Sequence, residues 1–216
     1  MRFDDQRKMM VQTQLISRGI NDQKVIDAFL KVPRENFVPD EWKEFSYKDN
    51  PLSIGCKQTI SQPFIVALMM SLLNLEKTDI VLEIGTGCGY QTALLAEIVH
   101  EVYTIERIDD LLISAKKTLK SLDFKNIYFK RGDGCLGWVN ALPQVSKFDK
   151  VIVSAGSPDM PHTLLSQLKI GGKLIVPQGS ISHQELIVYE KKEDEIVVHK
   201  HGGCVFVPLI GEGAWT

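Results

Sequence analysis

One stretch narrows the possible folds more than any other. The apolar run DIVLEI, residues 79–84, empties into a glycine loop, Gly85-Thr86-Gly87-Cys88-Gly89, and the helically spaced YQTALLAEIV follows. An apolar run without polar alternation suits a strand buried on both faces, as in a parallel sheet. Parallel neighbours need a crossover, and the chain keeps supplying one. VYTIE, IYFKRGDG, FDKVIVSAG and KLIVPQG read as further strands. DDLLISAKKTLKSL and PHTLLSQLKIGG read as helices, the second closed by its glycines. ELIVYEKKEDEIVVHK reads as a hairpin with KKEDE as its solvated turn. The expected fold class is α/β: a mixed, mostly parallel sheet with helices on both faces and an antiparallel edge.

Upstream, Met9, Met10, Gln14 and Leu15 fit one amphipathic helix, broken at Gly19. Asn21 has the chemistry to cap a second helix bearing Val25, Ile26, Phe29 and Leu30, which Pro33 ends. Residues 34–58 mix prolines, aromatics and charges without a period and read as irregular. With no internal repeat or low-complexity linker, one domain is expected over 1–216. Residues 1–60 form its helical and irregular N-terminal extension, and 61–216 its core with the terminal hairpin.

A content of 44% hydrophobic residues is enough for a proper core. The net charge of -2 and the lack of any long basic run argue against a nucleic-acid partner. The start, MRFDDQRKMM, lacks the apolar stretch of a secretory signal, and VALMMSLLNL is too short to span a bilayer. Cys56, Cys88, Cys135 and Cys204 are scattered, which fits neither a disulfide framework nor a zinc site. The expectation is a cytoplasmic protein without membrane or metal. His199 and His201 share a strand face but have no acid or cysteine beside them, so a solvated face is the reading. Cys56 reads as a small filler, and Trp42, Trp138 and Trp215 as packing residues.

The loop reads E-x-G-x-G-x-G from Glu83 to Gly89. A dinucleotide fingerprint would need glycine where Tyr90 stands, and the G-K-[ST] ending of a phosphate loop is missing. The ligand need not carry a pyrophosphate. Glu106 ends the next strand, about 20 residues on, where an acid reaches ribose hydroxyls. Asp133, in Gly132-Asp133-Gly134, ends the third strand. It either accepts from an adenine amino group or forms an Asx turn. Loop, ribose acid and third-strand acid together point to S-adenosyl-L-methionine. Their order resembles the Rossmann-like class I methyltransferases.

The stretch QTISQPF, residues 58–64, is too polar at its start for a core strand and too apolar at its end for a loop. By local sequence Ser61 caps the helix that Pro63 begins. Yet a helix N-terminus also favours an anion, so capping and ligand contact are compatible.

Together with VLEIGTGCGYQTALLA, ERIDDLL, GDGCLGW and VFVPLIGEGAW, the segment QTISQPFIVALM resembles the protein-L-isoaspartate O-methyltransferase family over nearly the whole chain. QTISQP and FVPL are the specific segments. The resemblance implies methyl transfer from S-adenosyl-L-methionine to the free carboxylate of L-isoaspartyl residues in damaged proteins, leaving S-adenosyl-L-homocysteine. D-aspartyl residues stand as an open second substrate class. The ester then collapses through a succinimide.

It implies that Ser61 is the active-site serine and that Gln58, Thr59, Ile60 and Ser61 border the cofactor. Gly85 and Gly87 would lie beneath its amino-acid end, with Glu83 and Thr86 in the same loop, Glu106 at the ribose, and Asp133 and Gly134 on the adenine side. Thr59, Ser61 and Val207 would meet the substrate chain, and a monomer is expected. Cys56-Lys57 replaces a glycine common before QTIS, and Ser154-Ala155-Gly156 stands close to a common Thr-Ala-Ala. Two alternatives remain at this level. One is methylation of a nucleic acid or small metabolite, although SAGSP lacks the Asn/Asp-Pro-Pro-aromatic turn of amino-directed enzymes. The other is a noncatalytic nucleoside-binding domain.

Overall fold

The computed structural model describes residues 1–216. Helix α1 (Phe3–Met10) continues through a wide turn (Val11–Leu15) and a tight one (Ile16–Arg18) and ends at Gly19, as its pattern predicts. Helix α2 (Gln23–Lys31) is capped by Asp22, whose Oδ1 accepts the Lys24 N–H at 3.0 Å. The expected cap, Asn21, stands one residue too early to reach that donor.

The stretch expected to be irregular holds two 3₁₀ turns (Arg34–Phe37, Asp40–Phe45) and a hairpin of β1 (Leu52–Gly55) and β2 (Gln58–Ile60). Its turn residues, Cys56 and Lys57, both have positive φ, 51° and 57°. Two such residues make the mirror-image turn that matches strand twist, which Asn-Gly normally announces. Cys-Lys carries no such signal, so the hairpin was hidden. Cys56 is accordingly an exposed turn residue, and the filler reading is corrected.

Alternation then follows: α3 (Pro63–Leu73), β3 (Ile80–Ile84), α4 (Tyr90–Ile98), β4 (Glu101–Glu106), α5 (Asp109–Ser121), β5 (Ile127–Arg131) and β6 (Phe148–Val153). After them come α6 (His162–Ser166), β7 (Leu168–Ser180), β8 (His183–Lys191) and β9 (Ile196–Cys204). Helix α6 is shorter than predicted. The glycines expected to close it instead serve a bulge in β7, where pairing with β6 slips between Leu168 and Lys173. A Cβ at Gly172 would lie 2.8 Å from the Asp149 carbonyl oxygen, a separation only glycine permits.

The seven strands stand in the order β5-β4-β3-β6-β7-β8-β9. Pairing is parallel from β5 to β7 and antiparallel between β7, β8 and β9. Side chains alternate between two cores. Val81, Val102, Ile152 and Ile175 join the layer of α2, α3 and α4, while Leu82, Tyr103, Val151 and Leu174 join Trp138 and α6 on the opposite face. Met10, Leu15, Val25 and Phe29 of the extension belong to the first of these cores. Each such side chain contributes about 1.5–3 kcal/mol by burial, so the extension is part of the helical layer. The chain winds outward from β3 through β4 to β5 and returns on the other side of β3 as β6. The carboxyl ends of β3 and β6 therefore flank the point where the winding reverses, the place where open α/β sheets bind ligands.

Candidate functional site

A cavity of about 370 Å³ lies at that reversal point. Such a volume suits a small-molecule ligand, for which sites run roughly 300–1,000 Å³. Gln58, Thr59, Ile60 and Ser61 form one wall, and Gly85, Thr86 and Gly87 another. Glu106, Gly134 and Val207 also face it. A second cavity, about 530 Å³, adjoins the first. Thr59, Ser61, Ser154 and Val207 line both. The ionisable side chains on the second wall are Arg18, His201 and the Cys204 thiol, which burial pushes up to about 11. No carboxylate lines it, although Arg18 is paired with Asp49, which also bonds Gln62 of the same wall.

The fold explains the orientation of Glu106. Its Oε2 accepts the Gly87 N–H and its Oε1 the Ile108 N–H, each at 2.9 Å. Each carboxylate oxygen keeps a second lone pair. The group is thus aimed by the glycine loop and by its own strand end, yet can still accept two hydroxyl hydrogens. A ribose diol presents that pair, so the residues fit the nucleoside expected from the sequence.

Two expected residues lie off the wall. Asp133 accepts the Cys135 N–H with Oδ1 and the Glu212 N–H with Oδ2, both at 2.8 Å. The first contact is the Asx turn; the second fastens the C-terminal segment across the end of β5. Of the Asp133-Gly134 pair, only Gly134 reaches the cavity. A Cβ there would come within 2.3 Å of Ile84 Cγ2.

Glu83 is fully buried behind the loop. Thr92 and Thr104 donate to its Oε2 at 2.6 and 2.7 Å, and Gln91 donates to Oε1 at 3.1 Å. Burial pushes this carboxyl up from 4.5 to about 7, against the pull of those three donors. The fold therefore favours its neutral form. The resulting stabilisation is present below about pH 4.5 and is lost as the pH rises through about 7. Thermal melts across that window should show falling stability. The Glu83→Gln variant should flatten the slope, and an unchanged slope would show that other groups cause it.

Ser61 does not cap α3. Gln62 occupies the cap position with its side chain bonded to Asp49 rather than to the helix, and no hydrogen bond uses the Ser61 hydroxyl. What holds this residue is Arg34, which the sequence pattern gave no reason to single out. Its guanidinium is fully buried and donates from Nη2 to the Ser61 carbonyl at 2.8 Å and from Nε to the Ser46 carbonyl at 2.7 Å. Its Cζ lies 4.8 Å from the centroid of the Tyr90 ring. Burial lowers its pKa, yet a guanidinium keeps its proton near neutrality. A cation without a carboxylate partner thus stands behind the turn that presents Ser61.

Val207 offers less backbone than expected. Its C=O already accepts the Gly156 N–H at 2.8 Å, and the Leu209 N–H donates to the Gly156 C=O at 2.9 Å. The Val207 N–H has no acceptor in the protein. His201 reaches the second cavity from the exposed face of β9, and Trp138 is buried as a packing residue.

Comparison with known proteins agrees with this geometry. The family model described as Protein-L-isoaspartate(D-aspartate) O-methyltransferase (PCMT) matches residues 5–214. The chain is 52% identical over 216 residues to a protein-L-isoaspartate O-methyltransferase of Petrotoga mobilis, covering 100% of both. It is 50% identical over 214 residues to one of Trichlorobacter lovleyi, covering 99% of this chain and 97% of the relative. A solved structure described as a protein-L-isoaspartate O-methyltransferase superposes with a TM-score of 0.84 at 29% identity, over 96% of this chain and 67% of the other. A second, from Plasmodium falciparum, is described as such an enzyme in complex with S-adenosyl-L-homocysteine. It superposes with a TM-score of 0.82 at 25% identity, over 94% of this chain and 98% of the other.

Proposed function

The chain belongs to the protein-L-isoaspartate(D-aspartate) O-methyltransferase family, and we propose how its two cavities divide the work of that activity. It is an S-adenosyl-L-methionine-dependent methyltransferase acting on isoaspartyl residues. The first cavity takes the cofactor and the second the peptide. The observation that carries this division is the set of residues common to both walls: Thr59, Ser61, Ser154 and Val207. Methyl donor and acceptor have to meet at such a seam.

S-adenosyl-L-methionine, when bound, would supply an electrophilic methyl group on a sulfonium for transfer to a carboxylate oxygen. A carboxyl with an ordinary pKa of about 3.9 is already ionised near neutrality, so no side chain has to remove a proton. The residues bind and orient. Glu106 takes the ribose, and Gly85, Thr86 and Gly87 back the amino-acid end. Gly134 borders the adenine side. Ser61 holds the acceptor carboxylate, with the Arg34 cation behind its carbonyl favouring the anion. The Val207 N–H holds the peptide chain. A cytoplasmic location, a monomeric state, D-aspartyl substrates and the absence of a nucleic-acid partner belong to the same reading. No helix is long and apolar enough to cross a membrane.

The test is transfer of labelled methyl groups to a synthetic isoaspartyl peptide, with the product checked for the base lability of a carboxyl ester. Absence of ester would overturn the reading. Within it, Ser61→Ala should lower turnover by roughly 10-fold or more, the effect of one lost hydrogen bond to a charged group. Because Ser61 caps nothing, the variant should melt at the parent temperature. Unaltered turnover would remove Ser61 from the site.

A further inference from the structure

Ser154 stands directly after β6, on the seam between the two cavities. Its backbone is fixed, since its N–H donates to the Ile84 C=O at 2.9 Å. Its Oγ lies 2.7 Å from Gln91 Nε2, and that same nitrogen lies 3.1 Å from Glu83 Oε1. Above about pH 7, where Glu83 is ionised, its carboxylate only accepts. Glu83 therefore dictates which end of the Gln91 amide faces it, and the amide gives one hydrogen to Glu83 and the other to Ser154. In that contact the serine oxygen is the acceptor. Its own hydrogen finds no acceptor in the protein. The hydroxyl is thus engaged from behind through its lone pair, with its hydrogen still to be placed, on the wall where donor and acceptor meet.

We propose that Ser154 donates this hydrogen to the substrate carboxylate, together with Ser61, and that Gln91 and Glu83 are positioning residues that set the direction of the donor. The inference rests on the division of cavities proposed above. Two hydroxyls contacting one carboxylate fix its plane, which a single hydroxyl cannot do. The carboxylate has about four acceptor sites, so a lone pair remains for the methyl carbon. Alignment of that lone pair governs the effective molarity of the reaction. No proton is transferred in this arrangement; the serine hydrogen stays on its oxygen.

The test is steady-state kinetics on an isoaspartyl peptide, above neutral pH where Glu83 is ionised, paired with calorimetry for S-adenosyl-L-homocysteine. Ser154→Ala should lower kcat/KM on the order of 10- to 100-fold, the range for one donor lost to a charged group. Affinity for S-adenosyl-L-homocysteine should not change. Ser154→Thr keeps the hydroxyl and should restore most of the activity. Gln91→Leu keeps the bulk but removes the amide hydrogen that fixes the Ser154 oxygen. Its kcat/KM should fall similarly, and the double variant Gln91→Leu/Ser154→Ala should be no worse than the weaker single one.

If Ser154→Ala retains the parent kcat/KM, or loses only affinity for S-adenosyl-L-homocysteine, the inference is overturned while the family activity stands. Multiplicative losses in the double variant overturn the relay. Failure of the unaltered protein on the isoaspartyl peptide would take down both the inference and the reading beneath it.

Discussion

An isoaspartyl peptide should be methylated at least about 100-fold faster than its aspartyl twin, a ratio of the size that a misplacement of about 1 Å produces. The two peptides have the same composition and charge. In the isoaspartyl form the main chain runs through the side-chain methylene and leaves the α-carboxyl free. Only the position of the carboxylate relative to the chain differs, so discrimination requires that both be held together. In the proposed arrangement the second cavity brings two such holds onto one wall, the Ser61 hydroxyl and the unpaired Val207 N–H. Val207→Pro removes that N–H and should raise the peptide KM by about 10-fold, with cofactor affinity unchanged. Initial rates on the paired peptides decide the matter. Equal rates would leave a methyltransferase whose selectivity lies elsewhere.

The second large effect concerns the cofactor. Glu106→Ala should weaken binding of S-adenosyl-L-homocysteine by roughly 1.5–3 kcal/mol, about 10- to 100-fold. The substitution removes the proposed ribose acceptor and releases the Gly87 and Ile108 N–H groups from their partners. Glu106→Gln is informative for the same reason. Its amide end would face one of those two N–H donors, so a near-isosteric change should also cost affinity. Titration calorimetry on folded protein measures both, and parental affinity in Glu106→Ala would exclude Glu106 from the ribose site.

The pattern of apolar runs and glycines in the sequence determined the parallel sheet, its antiparallel edge and the glycine loop. Those features repeat a short-range period, and a strand buried on both faces has few other ways to be written. The spacing from loop to strand end likewise put Glu106 beside the glycine loop, where it lines the cavity, because adjacent parallel strands put their carboxyl ends side by side. The roles of Glu83 and Asp133 were not legible in that way. Both sit at positions that suit ligand contact, but neither lines the cavity, and their oxygens are turned to tertiary neighbours: Thr92, Thr104 and Gln91 for one, Cys135 and Glu212 for the other.

The Cys56-Lys57 turn was hidden because its left-handed backbone is imposed by the strands it joins. Ser61 had the chemistry of a helix cap, and only the three-dimensional arrangement freed its hydroxyl. Pro63 starts the helix with Gln62 as its cap, and Arg34, 27 residues earlier, takes the Ser61 carbonyl. Ser154 acquires its direction from Gln91, 63 residues away in the chain. Local sequence sets what each residue can donate or accept. Which of those capacities stays free for a ligand depends on partners far along the chain, and that is settled only when the sheet brings them together.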